Sequence, residues 1–212
     1  MKRRIILLGP PASGKGTQAE MLSARYNLPS ASTGALLREE RARGTALGRE
    51  ADAWTSRGMF FPDEIAMKVV RQWLDEHGGD GFVLDGFPRT IGQARAFEGE
   101  TDAVFHLALS DEEIRTRVAG RITCAHCGAG FSTVLHRVGE GEACPSCGRA
   151  LVRRSDDTVG ALQERLEQHR LHTVPVVEFY REAGRLTEVD ASASREAVFQ
   201  KLRESIEEGV TA

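Results

Sequence analysis

The chain has 212 residues, of which 41% are hydrophobic and 28% are charged, and its formal net charge is −3. This length predicts one globular domain, or one core with insertions, and the hydrophobic fraction excludes disorder and fibrous repeats as the main state. A weakly acidic chain offers no general attraction for nucleic acid. The apolar run at residues 5–8 is too short for a membrane span or a signal peptide, so we expect a cytoplasmic protein without nucleic-acid or membrane partners.

Apolar segments alternate with helical patterns along the chain, which is typical of an α/β fold with a parallel sheet at its core. Strands are predicted at residues 3–8, 82–85, 104–109 and 186–190, with a shorter one around Leu28. Helices are predicted at residues 14–26, 62–77, 110–120, 158–183 and 194–208. Pro175 should kink or split the long fourth helix, because proline removes a backbone donor and clashes with the preceding turn.

Two segments interrupt this alternation. Residues 32–61 hold two short arginine-rich helical patterns without a strand between them, and residues 121–157 hold all four cysteines. We interpret both segments as insertions on a core formed by residues 1–31, 62–120 and 158–212.

A glycine-rich loop follows the first predicted strand directly and precedes the first predicted helix. Residues 9–15 read Gly-Pro-Pro-Ala-Ser-Gly-Lys and fit the pattern G-x-x-x-x-G-K, in which inward-facing N–H groups and the helix N-terminus bind phosphate. Lys15 would reach the β- and γ-phosphates. The hydroxyl that commonly follows this lysine comes one residue later, at Thr17, so either Thr17 assists Mg²⁺ or phosphates and water hold the ion.

Four stretches together resemble the adenylate kinase family, in its long bacterial form with a zinc-binding lid, over essentially the whole chain. They are Gly14-Lys15-Gly16-Thr17-Gln18-Ala19, Ser32-Thr33-Gly34, Leu36-Leu37-Arg38 and Leu84-Asp85-Gly86-Phe87-Pro88-Arg89-Thr90. The resemblance implies a P-loop fold with a nucleoside-monophosphate-binding insertion at residues 32–61 and a lid at residues 121–157. It also implies the reaction of ATP with AMP to give two ADP, with Mg²⁺ accompanying ATP.

The resemblance further assigns site residues. Lys15, Asp85, Arg89, Arg121, Arg154 and Arg165 match the catalytic set, in which the arginines neutralise phosphate charge and Asp85 holds water on Mg²⁺. The ATP contacts match Ala12, Ser13, Gly14, Lys15, Gly16, Thr17, Arg117, Arg121, Gly130, Phe131 and Ala193. The AMP contacts match Thr33, Arg38, Met59, Phe60, Phe61, Gly86, Phe87, Pro88, Arg89, Gln93, Arg154 and Arg165.

Several of these residues have plainer interpretations. Asp85 could cap a helix, Gln93 could be an exposed helix residue, and Asp156 and Asp157 could cap the next helix or orient the lid arginines. Kinases for pyrimidine monophosphates resemble this chain but usually differ at the positions of Thr33 and Gln93.

Two positions depart from the family pattern. Ala12 stands where glycine is usual, and alanine fits there only if its φ is negative or the loop adjusts slightly. Ala35 replaces an aspartate that assists the Mg²⁺ water shell in the family, which bears on magnesium use and not on the class of reaction.

The four cysteines form two C-x-x-C pairs, Cys124 with Cys127 and Cys144 with Cys147, separated by 16 residues. This spacing is typical of four-cysteine zinc sites, and four thiolates leave no open position, so the zinc would be structural. His126 and His136 could compete as ligands, and two disulfides are the rival arrangement, although a reducing compartment disfavours them.

Three alternatives stay open at this point. The chain could phosphorylate another nucleoside monophosphate, it could be a zinc-ribbon binding module with a non-catalytic phosphate loop, or it could be an inactive homologue. We expect a monomer, since no long apolar patch or heptad repeat is evident.

Overall fold

A computed structural model of the protein describes residues 3–55, 62–134, 136–153 and 157–208. The strands are β1 (Arg3–Leu8), β2 (Ser30–Ser32), β3 (Gly81–Asp85), β4 (Ala103–Ala108), β5 (Arg121–Cys124), β6 (Gly130–Ser132), β7 (Leu151–Val152) and β8 (Leu186–Asp190). The helices are α1 (Lys15–Tyr26), α2 (Thr33–Ala42), α3 (Ala46–Thr55), α4 (Asp63–His77), α5 (Ile91–Ala96), α6 (Asp111–Ala119), α7 (Val159–Gln168), α8 (Val174–Glu182) and α9 (Arg195–Glu208).

A five-stranded parallel sheet forms the centre of the fold, with the strand order β2-β3-β1-β4-β8. β1 lies in the middle, and its residues Ile5 to Leu8 are fully buried because helices cover both faces. One face packs against α4, α5 and α8, and the other packs against α1 and α9. The predicted α/β class and parallel sheet are therefore confirmed.

The shorter predicted strand lies slightly later than expected. Leu28 is buried but precedes the strand, and β2 itself consists of Ser30–Ser32, paired with β3. The pattern located the buried leucine rather than the hydrogen-bonded residues, which are small and polar.

The long predicted helix is split, as Pro175 indicated. α7 ends at Gln168, a π-helical turn spans His169–Thr173, and Pro175 lies in the first turn of α8. Proline fits there because the first helical turn does not need its missing N–H group.

Helix α5 was not predicted from the sequence. It has only six residues, and Thr90 caps it by accepting a hydrogen bond from the Gln93 N–H at 3.2 Å. A helix of this length carries too few apolar positions to show a 3.6-residue period.

Residues 121–157 contain a separate small sheet, in which β5 pairs antiparallel with β6 and β7. Its interior consists of Ile122, Cys124, Cys144 and Leu151, which form a cluster distinct from those of the parallel sheet. Within the described ranges, no helix is both long enough and apolar enough to cross a bilayer.

Candidate active site

The glycine-rich loop connects the end of β1 to the start of α1 at the carboxyl edge of the parallel sheet. Gly9 has a φ of 147°, and a Cβ there would lie 2.6 Å from the Leu107 carbonyl oxygen, so only glycine fits between the loop and β4. Gly14 stands at the N-cap of α1, and Ser13 is buried. The strand, loop, lysine and helix thus occur in the order that the phosphate-binding motif requires.

Ala12 does not have the negative φ that we considered. Its φ is 60°, in the left-handed region that disfavours residues with a Cβ. The loop therefore keeps the conformation that suits glycine. In an alanine this left-handed conformation reduces the stability of the fold by roughly 1–2 kcal/mol. Arg117 lies close to this residue: its Nη1 is 3.5 Å from the Ala12 carbonyl oxygen, and its Nη2 donates to the Ala191 carbonyl oxygen at 2.6 Å.

Lys15 folds over the loop that precedes it. Its Nζ donates to the carbonyl oxygens of Gly9 at 3.0 Å and of Pro10 at 2.8 Å. Burial lowers the pKa of Lys15 to about 8 against the opposing effect of Asp85, and the positive charges of Arg89, Arg165 and Arg121 lower it further. Cations thus converge on this lysine from other segments of the chain.

Asp85 ends β3, in register with Leu7 of β1, and so lies at the same sheet edge as the loop. A Cβ on Gly16 would lie 3.5 Å from Asp85 Oδ2, which shows how closely the carboxylate approaches the loop. The helix that follows Asp85 is capped by Thr90, so the helix-cap interpretation of Asp85 is wrong. Carboxylate oxygens are suitable ligands for Mg²⁺ or its water shell, and Asp85 therefore fits the expected role.

Arg89 lies on the turn after β3 and is held there by its own backbone neighbours. Its Nε donates to the Gly86 carbonyl oxygen at 2.7 Å, and Gly86 has a φ of 67° that brings the two together. Burial lowers the pKa of Arg89, Asp85 opposes this, and the nearby positive charge of Arg38 lowers it further. Arg38 is exposed on α2, so the positive charge near Arg89 extends to the protein surface.

Arg121 and Arg165 come together on Asp157. Arg121 Nε donates to Asp157 Oδ2 at 2.7 Å, its Nη2 contacts Oδ1, and Arg165 Nη1 lies 3.4 Å from Oδ1. Thr158, not Asp157, caps α7, so Asp157 orients the two arginines as the second interpretation predicted.

Gln93 is buried on α5, which makes its interpretation as an exposed helix residue wrong. Its Oε1 accepts from the Arg89 N–H at 2.8 Å, and its Nε2 donates to Asp63 Oδ1 at 2.8 Å. The hydroxyl of Thr90 donates to the other oxygen of Asp63 at 2.7 Å. Thr33 is also buried, and its hydroxyl has no hydrogen-bond partner among the described residues.

The remaining expected residues are distributed as follows. Gly16, Thr17, Gly130 and Ala193 are exposed, and Phe131 is half-buried with its ring edge-on to His136 at 5.6 Å. The ring of Phe87 packs in the core against Phe97, and Pro88 follows it after a cis peptide bond, so Phe87 can offer only its backbone to a ligand. Met59, Phe60, Phe61, Arg154 and Asp156 lie outside the described residues.

The four cysteines meet at one point of the small sheet, as their spacing predicts. Their sulfur atoms all lie within 4.8 Å of one another, and no other His, Cys, Asp or Glu of the described ranges belongs to this group. Cys124 Sγ is 3.5 Å from Cys147 Sγ, and Cys127 Sγ is 3.7 Å from Cys144 Sγ. Zinc–sulfur bonds of about 2.3 Å imply tetrahedral edges of about 3.8 Å, so these thiols fit a zinc ion.

The disulfide arrangement and the histidine ligands do not match the structure. All four cysteines are free thiols. His136 accepts from the Ser132 N–H at 2.9 Å, and His126 is exposed outside the cluster.

Backbone N–H groups of Cys127 and then His126 lower the pKa of Cys124 to about 6. Against the hydrogen bond from the Arg149 N–H, burial and the three neighbouring thiols raise the pKa of Cys147 to about 12. The thiolate that a metal requires is therefore favoured at Cys124 and disfavoured at Cys147.

Sequence reasoning missed the role of Asp63. The sequence presented it only as an acid in the first turn of a predicted helix, which is a common position for aspartate. Its partners Thr90 and Gln93 are 27 and 30 residues away, and no local pattern indicates such contacts.

Comparisons with known proteins identify the family of the chain. The family model described as Adenylate kinase matches residues 7–185. An adenylate kinase from Archaeoglobus fulgidus is 36% identical over 96% of this chain and 97% of its own length. Adenylate kinases from Moorella thermoacetica and Caldicellulosiruptor saccharolyticus are 39% and 40% identical, over 92% and 86% of this chain and 94% and 89% of their own lengths. The chain belongs to the adenylate kinase family.

Proposed function

We propose that this chain catalyses reversible transfer of the terminal phosphoryl group of ATP to AMP, giving two ADP, and that it does so with the residues gathered around Lys15. The observation that carries the proposal is the convergence of cations from separate segments. Besides burial, the positive charges of Arg89, Arg165 and Arg121 lower the pKa of Lys15. Arg121 and Arg165 also meet on the carboxylate of Asp157. A site that must hold two nucleotides with their phosphate groups facing each other needs this surplus of positive charge.

On the donor side, the loop at residues 9–15 would bind the ATP phosphates through its N–H groups and Lys15. Arg117 would flank the ATP base with Gly130, Phe131 and Ala193. Mg²⁺, when it arrives with ATP, neutralises part of the phosphate charge and orients the phosphate oxygens. Asp85 would hold the water shell of this ion, because its carboxylate lies beside Gly16.

On the acceptor side, Arg38 and Arg89 would bind the AMP phosphate. The buried hydroxyl of Thr33 and the amide of Gln93 would face the base, together with Met59, Phe60, Phe61 and the backbone at residues 86–88. Arg154 and Arg165 would neutralise the phosphoryl group during transfer. Arg89 would thus place the attacking oxygen of AMP in line with the γ-phosphate, since positioning and charge neutralisation account for most of this catalysis.

In this arrangement, different segments of the chain would have different functions. Residues 32–61 would bind AMP, residues 121–157 would form a zinc-bearing lid that excludes water, and residues 1–31, 62–120 and 158–212 would form the core. The distinct interior of the small sheet supports this division for the lid. We further propose a cytoplasmic monomer without nucleic-acid or membrane partners, in keeping with the free thiols and the weakly acidic charge.

A coupled assay of ADP formation tests the proposal. We expect activity with ATP and AMP, and losses of at least about a hundredfold in Lys15→Met and Arg89→Ala, because both charges act where phosphoryl charge develops. Lys68→Met and Arg95→Ala remove exposed charges on α4 and α5 and serve as matched controls. Near-normal turnover in a folded Arg89→Ala variant would remove Arg89 from the AMP site, and faster turnover with CMP, UMP or GMP than with AMP would identify a different acceptor.

A further inference from the structure

We propose that Asp63 is a specificity-determining residue, which makes the site select a 6-amino purine. It would do so by fixing the orientation of the Gln93 amide, and thereby the positions of the acceptor and the donor that Gln93 presents to the base. The inference rests on the proposed contact between Gln93 and the acceptor base, and it concerns a residue that does not itself touch the substrate.

The Gln93 amide is held at both ends by groups whose hydrogen-bonding roles cannot be exchanged. The Arg89 N–H can only donate, and it contacts Oε1 at 2.8 Å. The Asp63 carboxylate can only accept, and it contacts Nε2 at 2.8 Å. Turning the amide by 180° would place two donors against each other at Arg89 and two acceptors against each other at Asp63.

The Asp63 carboxylate is itself fixed in place. The Thr90 hydroxyl donates to Oδ2 at 2.7 Å, while Oδ1 receives the Gln93 amide. Helix α5 passes so close to Oδ2 that a Cβ on Gly92 would lie 2.5 Å from it. Asp63 therefore joins the start of α4 to the start of α5, on which Gln93 lies.

The remaining hydrogen-bonding capacity of Gln93 determines what it can recognise. An amide oxygen accepts two hydrogen bonds and an amide nitrogen donates two, so one acceptor direction and one N–H group are left. Adenine offers an N6 amino donor beside an N1 acceptor, which complements this pair. Hypoxanthine offers an O6 acceptor beside an N1–H donor, which complements only the turned amide.

The test compares AMP with inosine monophosphate as acceptors, by the ratio of their kcat/KM values. In Asp63→Ala, the turned amide has one unfavourable contact instead of two. We therefore expect kcat/KM for inosine monophosphate, divided by kcat/KM for AMP, to rise about tenfold. We also expect the KM for AMP to rise more than kcat falls, because the effect is on base recognition. Asp63→Asn can still present its oxygen to Gln93 and its N–H group to the Thr90 hydroxyl, so its ratio should lie between those of the wild type and Asp63→Ala.

Glu64→Ala is the matched control, since it removes an exposed acid from the same helical turn and should leave the ratio unchanged. Each ratio is measured below the unfolding midpoint of the variant. If Asp63→Ala lowers kcat/KM for both acceptors by the same factor, or for neither, Asp63 is only structural and the inference is overturned.

Gln93→Leu separates this inference from the proposed function. An unchanged KM for AMP in Gln93→Leu would remove Gln93 from the base site, and the role of Asp63 with it. A raised KM in Gln93→Leu with unchanged ratios in both Asp63 variants would overturn the Asp63 inference alone.

Discussion

Arg121 and Arg165 share one carboxylate, that of Asp157, whose side chain is only 5% exposed. Both arginines belong to the set proposed to neutralise the transferred phosphoryl group. Asp157 therefore holds their guanidinium groups together in the absence of phosphate and competes with phosphate for the same donors. A carboxylate in this position keeps two like charges close to each other before substrate arrives.

This competition predicts that Asp157→Asn lowers the KM for ATP. Asparagine keeps the shape of the side chain but removes its negative charge, so the phosphates no longer displace a charge-assisted hydrogen bond. We expect the KM for ATP to fall a few-fold and kcat to fall as well, because the arginines are held less firmly. Steady-state kinetics with ATP varied at saturating AMP measures both quantities.

Asp102→Asn supplies the control for this prediction. Asp102 pairs with Arg4 at 2.7 Å on the surface. Arg4 lies at the start of β1 and the glycine-rich loop follows its end, so the loss of Asp102 should leave the kinetics unchanged. A KM for ATP that rises in Asp157→Asn would show that Asp157 supports the bound arginines instead of competing for them.

The lowered pKa of Lys15 predicts a loss of ATP affinity in mild alkali. Lysine is cationic below its pKa, and a pKa of about 8 means that the free enzyme loses this charge as the pH rises through 8. Phosphate groups lose their last proton near pH 6, so the charge of ATP is constant in this range. We expect kcat/KM for ATP to fall above about pH 8, while kcat stays level to higher pH because bound phosphate keeps Lys15 protonated.

The measurement is a pH series of kcat/KM from 7 to 10, accompanied by circular dichroism to show that the protein stays folded. A descending limb that begins only near the usual lysine pKa would contradict the effect of burial and of the neighbouring arginines on Lys15.

The parallel sheet and most of its helices could be predicted because their signals are local. Residues 5–8 are apolar on both faces, and the helix predicted at residues 110–120 begins with a capping box formed by Ser110 and Glu113. The glycine-rich loop and the two cysteine pairs are likewise short patterns with fixed spacing. Such features need no knowledge of distant segments.

The contacts that set orientation could not be predicted, because they join residues far apart in the chain. Asp63 meets Gln93, and Asp157 meets Arg121, 36 residues away. The left-handed conformation of Ala12 was also outside the reach of the sequence, since the residue type argues against it. There the requirement of the loop for inward-facing N–H groups outweighs local preference.

Ala12 predicts a gain in stability on substitution by glycine. Its φ of 60° costs an alanine roughly 1–2 kcal/mol, while glycine adopts this conformation freely but loses more entropy on folding. We expect Ala12→Gly to stabilise the fold by up to about 1 kcal/mol, which raises Tm by roughly 2–4 °C for a chain of this size.

Ala24→Gly is the control, since Ala24 is exposed within α1 and glycine there should lower stability by roughly 0.5–1 kcal/mol. Thermal unfolding of both variants beside the wild type gives the comparison. A lower Tm in Ala12→Gly would show that the methyl group contributes packing that outweighs its conformational cost.

The last prediction concerns zinc in the small sheet of residues 121–157. Among its described residues, only Ile122, Cys124, Cys144 and Leu151 are buried, which is too little apolar surface for independent stability. Zinc binding by such sites is worth on the order of 10–16 kcal/mol in isolated zinc fingers. We therefore expect one tightly held zinc per chain, and we expect this segment, but not the parallel sheet, to depend on the metal for its fold.

Metal analysis of the purified protein and hydrogen exchange before and after chelation test this prediction. Chelation should remove protection first from the amides that follow each cysteine pair. Examples are the Gly128 N–H, which donates to the Cys124 carbonyl oxygen, and the Gly148 N–H, which donates to the Cys144 carbonyl oxygen, while β1 stays protected.

Activity should fall with the same time course, because Arg121 lies on β5 and loses its support. Cys144→Ser should reproduce the chelated state, and His126→Ala, which changes an exposed residue between two ligands, should not. An ordered segment in zinc-free, reduced protein would exclude the site, and loss of activity with protection retained would indicate a catalytic metal instead of a structural one.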